Sequence, residues 1–165
     1  MSILQGEGAH CEFTGVTFAG AGQYLDTGSK VVHNAPHTSS NINSKSISKG
    51  GGVSIYRGCV VINPRAEGAK ANVSCESLML DEQSQSDTIP AIVVKNDNID
   101  LGHEASIGRI SDEAIFYLMS RGLSEDEARA MLVRGFVEPV SKALPLEYAV
   151  EMNNLINLEL KGSLK

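Results

Sequence analysis

The stretch NIDLGHEASIGRISDEAIFYLMSRGLSEDEA, residues 98–128, changes its hydrophobic period in the middle. Up to Ile110 the residues alternate in the way typical of a β-strand, and from Ser111 they follow the period of a helix. His103 and Glu104 lie just before this change. The stretch therefore predicts a β-rich body that ends near residue 110 and continues into a helical tail. The His-Glu pair is either part of a chemical site or a polar turn that precedes the helices.

From Ser29 to Ile110 the chain is a succession of short β-type runs separated by Asn, Asp, Gly, Ser or Pro. The centres of the last four runs recur at irregular intervals in the range of one coil of a parallel β-solenoid. Several of the runs are also too apolar for a strand that has one face exposed to solvent. These features favour a solenoid somewhat over a β-sandwich or barrel. The Gly-rich residues 1–28 predict an edge strand or a cap. The runs are KVVHNA (30–35), NSKSIS (43–48), GVSIYRGCVVIN (52–63), NVSCESLMLD (72–81), PAIVVKND (90–97) and NIDLGHEASIG (98–108).

Beyond Ile110 the periodicity predicts three amphipathic helices. The first carries its apolar stripe on Ile115 and its neighbours, and the second opens with a capping box between Ser124 and Glu127. The start and stop signals are Ser111 and Gly122 for the first helix, Ser124 and Pro139 for the second, and Pro145 and Gly162 for the third.

Composition excludes several classes of function. The net charge is −6 without any run of Lys or Arg, which argues against nucleic acid or anionic lipid as the partner. No apolar run approaches the roughly 20 residues of a membrane span, and the N-terminus does not resemble a signal peptide. We therefore expect a cytoplasmic protein. Aromatic residues make up 5% with no Trp, which disfavours a β-helix enzyme that acts on polysaccharide. Because nucleotide-binding and catalytic motifs are absent, we expect that the protein is not an enzyme and that this chain binds no nucleotide.

The three cysteines, Cys11, Cys59 and Cys75, fit neither a disulfide framework nor a closed zinc site. A small buried side chain is the simplest interpretation of Cys75, and more strongly of Cys59, whereas the Gly-rich surroundings of Cys11 predict nothing. If Cys75, His103 and Glu104 met on consecutive coils, thiolate, imidazole and carboxylate would suit an iron ion or an iron–sulfur cluster. Their spacing alone does not bring them together.

Several ordered segments resemble one family. SDTIP (86–90), HEAS (103–106), FYLMSRGLSEDEA (116–128), GFVEP (135–139) and LPLEYAVEMNNLI (144–156) are similar to the C-terminal part of the SufB/SufD scaffold proteins of the SUF iron–sulfur assembly system, and SSNINSKSIS (39–48) and residues 56–94 are similar to the preceding coils. The resemblance covers residues 29–165. It implies a right-handed parallel β-helix of few coils over residues 29–110 and a small C-terminal helical domain over residues 111–165, with residues 1–28 as an additional N-terminal segment.

The same resemblance implies a function. Cys75 matches the cysteine that accepts sulfur or ligates the cluster, Glu104 matches a proposed further iron ligand, and His103 matches the histidine beside it. HEAS together with Cys75 is SufB-like, although Gly102 stands where many SufB chains have an acidic residue. The implied partners are a SufC-type ATPase, docked on helices within Ser111–Leu160, and a second SufB or SufD chain. The transient Fe–S cluster would be cargo. The alternative is a SufD-like interaction module that holds no cluster.

Overall fold

The computed structural model describes residues 1–161, apart from the side chain of Lys161. Eight strands precede three helices in the chain. The strands are β1 (Ser2–Leu4), β2 (His10–Ala19), β3 (Tyr24–His33), β4 (Ser39–Ser48), β5 (Val53–Ile62), β6 (Ala69–Met79), β7 (Gln85–Val94) and β8 (Ile99–Arg109). The helices are α1 (Asp112–Ser120), α2 (Glu125–Ala143) and α3 (Leu146–Lys161).

The strands form a parallel β-helix of about four turns, as the sequence predicts. One sheet has the order β1-β3-β5-β7 and the other β2-β4-β6-β8, so each turn adds one strand to each sheet. Aligned residues lie one coil apart in sequence, such as Ser2 with Val31 and Val53 with Gln85. Each β-type run is therefore half a coil, not a whole one, which is why the runs recur at irregular intervals.

Residues 1–28 contain β1, β2 and the start of β3. Ten consecutive residues of β2, from His10 to Ala19, align with Ser39–Ser48 of β4 in the same parallel register that the later coils use. Some of the glycines occupy the turns between these strands, for example Gly8 and Gly22, which both have positive φ. The predicted edge strand is therefore present as β1 and β2, the first strands of the two sheets, and it belongs to a regular coil.

The inside of the β-helix contains apolar and hydroxyl side chains in register. Ile42 and Ile62 are fully buried there. The hydroxyls of Ser48, Ser54 and Ser86 form a chain with 3.0 Å between successive oxygens, so these buried polar groups are satisfied from coil to coil. Stacked coils thus bury each strand against the one before and the one after.

The helical tail covers one part of the outer face of the β2-β4-β6-β8 sheet. Ile47 of β4 and Leu80 form a second core with Val133 and Val137 of α2 and Ile156 of α3. Lys45, also on β4, reaches Glu76 with its Nζ at 2.7 Å and lies 4.5 Å from the ring centre of Phe136. The sheet is therefore packed on both faces around Lys45 and Ile47, while Asn41, Asn72 and Glu104 on the same outer face are exposed.

The helix starts agree with the sequence, but one stop signal was misread. The Ser111 hydroxyl caps α1, and Gly122, with positive φ, follows its end. The capping box of Ser124 and Glu127 is present at the start of α2. The prediction that Pro139 limits this helix is wrong, because α2 continues through it to Ala143.

The apolar stripe around Pro139 explains the continuation of α2. Val133 and Val137 before the proline and Val140 after it are all buried, so packing outweighs the lost backbone hydrogen bond. Pro145 precedes α3, whereas its predicted end, Gly162, lies outside the described residues. No helix within residues 1–161 combines the length and apolarity needed to cross a membrane.

Candidate functional site: Cys75 and the terminal coil

The last two strands, β7 and β8, form what we call the terminal coil. Each pairs with a strand of the preceding coil on one side, and no described strand pairs with the other side. Within this register Cys75 of β6 aligns with Ala105 of β8, Val73 aligns with His103, and Ser74 aligns with Glu104. The three residues singled out in the sequence therefore lie on two adjacent strands.

Strand alternation divides these residues between two faces. Cys75 and Val73 are both 2% exposed and point into the β-helix, so His103, aligned with Val73, belongs to the same inner face. Glu104 belongs to the outer face. With about 3.3 Å of rise per residue and about 4.8 Å between strands, the Cα atoms of Cys75 and His103 are about 8 Å apart. The structure brings Cys75 and His103 together and turns Glu104 away.

One expectation about the His-Glu pair needs correction. The alternative in which His103 and Glu104 form a polar turn is wrong, because both lie inside β8, well before α1 begins at Asp112. Cys75 occupies the middle of β6, although it directly precedes the apolar run ESLML that predicts this strand from sequence. His103 and Glu104 are exposed because no further coil covers β8 within residues 1–161.

The thiol of Cys75 lies in a largely apolar cluster that also contains Tyr56 from the opposite sheet. Burial raises the pKa of the Cys75 thiol, so the neutral form is favoured in this conformation. The Tyr56 hydroxyl lies 2.6 Å from the Ser29 hydroxyl. Burial raises the pKa of Tyr56, the hydrogen bond with Ser29 opposes that rise, and the charge of a Cys75 thiolate adds to it. Cys75 is thus a shielded thiol with one phenol in its surroundings.

The other two cysteines lie elsewhere. The interpretation of Cys59 as a buried side chain is wrong, because Cys59 is partly exposed on the outer face of β5, whereas Cys75 is buried as expected. Cys59 aligns with Lys30 and Ala91. Cys11 is half-buried on β2 and packs against the same core cluster that contains Cys75. Cys59 is therefore the better control for experiments on the Cys75 thiol.

The described residues contain no ready-made metal centre. Within residues 1–161 no group of three or more His, Cys, Asp or Glu side chains is arranged to hold a metal ion. A cavity of about 770 Å³ lies between the β-helix and α2, and neither Cys75 nor His103 nor Glu104 lines it. In its wall, Lys49 donates a hydrogen bond to the Leu160 carbonyl. Arg129 donates to the Leu80 carbonyl and to the Glu125 carboxylate, and Arg134 donates to the side-chain oxygen of Asn157. This cavity is the junction of the two parts of the chain.

The helical tail has several exposed apolar side chains. Of the predicted stripe on α1 only Ile115 is buried, while Phe116 is 73% exposed. On α3, Leu146, Tyr148 and Leu158 are similarly exposed. These four exposed residues of α1 and α3 are called the helical apolar surface below.

Sequence reasoning missed Tyr56 and Lys45. Tyr56 and Lys45 carried no sequence signal, because their partners come from other coils or from α2.

Comparison with known proteins agrees with this architecture. The sequence model of the family described as SUF system FeS cluster assembly, SufBD core domain, matches residues 1–136. A protein named iron-sulfur cluster assembly SufBD family protein in Staphylococcus saprophyticus is 55% identical over 162 residues, and its counterpart in Staphylococcus haemolyticus is 56% identical. A protein of the same name in Staphylococcus aureus strain USA300 is 55% identical. Each alignment covers 98% of this chain and 35% of the relative. On the β-helix, the family match and these identities, the chain belongs to the SufBD family of iron–sulfur cluster assembly proteins.

Proposed function

We propose that this chain acts as the cluster-holding C-terminal part of a SufB-like assembly scaffold, with the nascent Fe–S cluster as its cargo. The observation that carries the proposal is the place of Cys75, on the inner face one coil below the open terminal coil. His103 lies on the same inner face at a distance that two side chains can span to one iron ion. Cys75 supplies the thiolate, either as sulfur acceptor or as iron ligand, and His103 supplies a nitrogen donor.

Two donors leave the coordination of a cluster incomplete. The terminal coil offers a solution, because it has an unpaired edge and exposed apolar residues. Ile92 and Val94 of β7 and Ile107 of β8 point inward but are between 40% and 48% exposed. Unpaired edges with such side chains readily accept another chain. A second SufB or SufD chain on this edge supplies the remaining ligands, whereas Glu104 lies on the outer face and is not one of the donors beside Cys75 and His103.

Anaerobic reconstitution with iron and sulfide tests the proposal. Wild type and Cys75→Ala are compared by visible absorption and by iron and sulfide content, with Cys59→Ala as the matched control. We expect the cluster absorption to be lost in Cys75→Ala and kept in Cys59→Ala, because Cys59 lies away from the inner face. Equal cluster content in Cys75→Ala and wild type contradicts the proposal.

A SufD-like interaction module is the second candidate, and specific observations favour it. The Cys75 thiol is buried with a raised pKa, and no three-donor group exists in residues 1–161. In this case the chain contributes a partner edge and a docking surface, and a cluster forms in none of the variants, wild type included. Reconstitution repeated in the presence of a SufB or SufD partner chain separates the two candidates, because only the first then needs Cys75 for cluster formation.

The helical apolar surface is the proposed docking site for a SufC-type ATPase. Exposed Phe116 and Leu158 offer apolar contact area that the β-helix does not cover. Phe116→Asp and Leu158→Asp should weaken binding of a purified SufC-type ATPase by about tenfold or more, since each places a charge in an apolar contact. Tyr24→Asp, 64% exposed on β3, is the control and should bind as wild type does. Unchanged binding by both helix variants contradicts this assignment.

A further inference from the structure

We propose that the first part of the helical tail is a flap, which swings on the β-helix about Gly135 and is held closed by Arg129. The flap consists of α1, the turn that follows it and the start of α2, residues 112–132. Its two helices contact each other, and Ile115 and Ala128 are buried although neither belongs to the cores that contain β-helix residues. The flap therefore has its own packing and can move as one unit.

Two spaces separate the flap from the β-helix. The cavity of about 770 Å³ lies between Leu80 and its neighbours on the β-helix and residues within 123–131 of the flap. A smaller space of about 410 Å³ lies beside it, where the end of β8 meets the start of α1. Within α2, which the structure describes completely, only Arg129 borders both spaces. The flap therefore rests on the β-helix through few contacts.

Arg129 crosses the gap between the flap and the β-helix. Its Nη1 donates to the Leu80 carbonyl at 3.1 Å, whereas its Nε and Nη2 donate to Glu125 on α2 itself. Leu80 is fixed to the β-helix, because its own N–H donates to the Ser48 carbonyl and its side chain packs in the core around Ile47. A hydrogen bond from a charged donor to a fixed carbonyl holds the flap in the closed position.

Gly135 and Pro139 weaken α2 at the base of the flap. Pro139 has no N–H, so the Gly135 carbonyl, four residues earlier, has no helical partner. A Cβ atom at Gly135 would meet nothing within 4 Å, so no neighbour requires a glycine there. Glycine and proline are the usual places where helices bend. Val133 and Val137, on either side of Gly135, pack in the core around Ile47, so the pivot itself is anchored.

The swing changes the geometry of the helical apolar surface. A bend of about 20° at Gly135 moves the start of α2, about 15 Å away, by about 5 Å. Phe116 moves with the flap, whereas Leu158, on α3, stays with the β-helix. The flap thus sets the spacing between the two parts of this surface, and a partner that contacts both parts selects one position. This consequence rests on the proposed docking site, whereas the hinge does not.

Pulsed dipolar electron paramagnetic resonance between two nitroxide labels measures the swing directly. One label is placed on the flap by Ser120→Cys and the other on β7 by Asp87→Cys, and both positions are exposed. The two partly exposed cysteines, Cys11 and Cys59, are replaced by serine, and the buried third cysteine stays. A second pair combines Asn154→Cys, exposed on α3, with Asp87→Cys and reports on the part of the tail that should not move.

Arg129→Met should raise the fraction of a second distance in the flap pair by about tenfold, because it removes the charged hydrogen bond to the β-helix. Adding Gly135→Ala should lower that fraction several-fold, since alanine favours the straight helix. Lys142→Met is the matched control. Like Arg129, Lys142 pairs with a carboxylate four positions earlier, here Glu138, but it lies exposed on the far part of α2. Its distances should equal those of the wild-type background.

A single wild-type distance in Arg129→Met overturns the flap, as does an equal change in Lys142→Met. A change in the α3 pair together with the flap pair also overturns it, because the whole tail then moves. A second distance that persists at the same fraction after Gly135→Ala overturns the assignment of Gly135 as the pivot. The labels report on the chain without any ATPase, so each outcome is distinct from success or failure of the proposed docking site.

Discussion

The middle coils and the terminal coil use the same register but have opposite exposure. Ile62 of β5 is fully buried, whereas Val94, its aligned residue on β7, is 44% exposed. Val73 and Cys75 are 2% exposed, whereas their aligned residues on β8, His103 and Ala105, are exposed. The difference comes from the presence of a following coil and not from the type of residue. Coils with two neighbours stabilise the fold, and the coil with one neighbour presents side chains to a partner.

The largest expected effect comes from paired truncations at one register position. Ile62→Ala should lower the free energy of unfolding by about 2–5 kcal/mol, because it leaves a cavity in a closely packed interior. Val94→Ala removes apolar atoms from the aligned but half-open position and should cost less than about 1 kcal/mol. Urea denaturation of the two variants measures the comparison. Similar losses for both would mean that the terminal coil is covered in solution, for instance by a second chain.

A smaller effect is expected where the middle coils meet the helical tail. Lys45→Met should lower the free energy of unfolding by about 1–2 kcal/mol, because it removes the ammonium group and with it the contacts to Glu76 and to the ring of Phe136. Lys142→Met breaks the exposed pair with Glu138 on α2 and should change stability by less than about 0.5 kcal/mol. Urea denaturation again gives both values. An equal effect of the two substitutions would show that the Lys45 contact does not hold α2 on the β-helix.

The smallest effect is a pH dependence that comes from the interior of the early coils. His33 is fully buried, and burial lowers its pKa from 6.5. The Thr38 hydroxyl donates its hydrogen to the Ala35 carbonyl, so its oxygen accepts a hydrogen bond from Nδ1–H of His33. The other ring nitrogen, Nε2, then accepts a hydrogen bond from the Ser40 hydroxyl. The buried ring is therefore neutral, with its proton on Nδ1.

Below pH 6.5 the unfolded chain binds a proton at His33 that the folded protein does not bind. The contribution of His33 to stability is therefore complete above pH 6.5 and decreases as the pH falls below it, until the lowered folded-state pKa is passed. Urea midpoints measured between about pH 7.5 and 5 should fall less steeply in His33→Gln than in wild type. An unchanged slope in His33→Gln contradicts the assignment.

The helical tail shows how far local sequence signals reach. The caps at Ser111 and Ser124 were predictable because each is made by residues within three positions of one another. The continuation of α2 through Pro139 was not, since it depends on Val137 and Val140 packing in the folded tail. The apolar stripe on α1 was predictable from periodicity, yet Ile115 is buried and Phe116 is exposed. Periodicity indicated an apolar surface without saying what covers it.

The candidate site divides in the same way. Resemblance identified Cys75, His103 and Glu104, but their separation into an inner pair and an outer carboxylate required the register of β6 and β8. A difference of one residue in register would exchange the two faces.

The sequence by itself determined the class of fold, the change from strands to helices near residue 110, the helix caps and the absence of a basic surface. Only the tertiary structure decided which face of each strand points inward. The physical reason is visible in β4, Ser39–Ser48, whose last five residues are all buried. The β-helix interior covers one face of this strand and α2 covers the other, so alternation between apolar and polar residues is not required. Where both faces are packed, the direction of a side chain is set by the coils and helices around it.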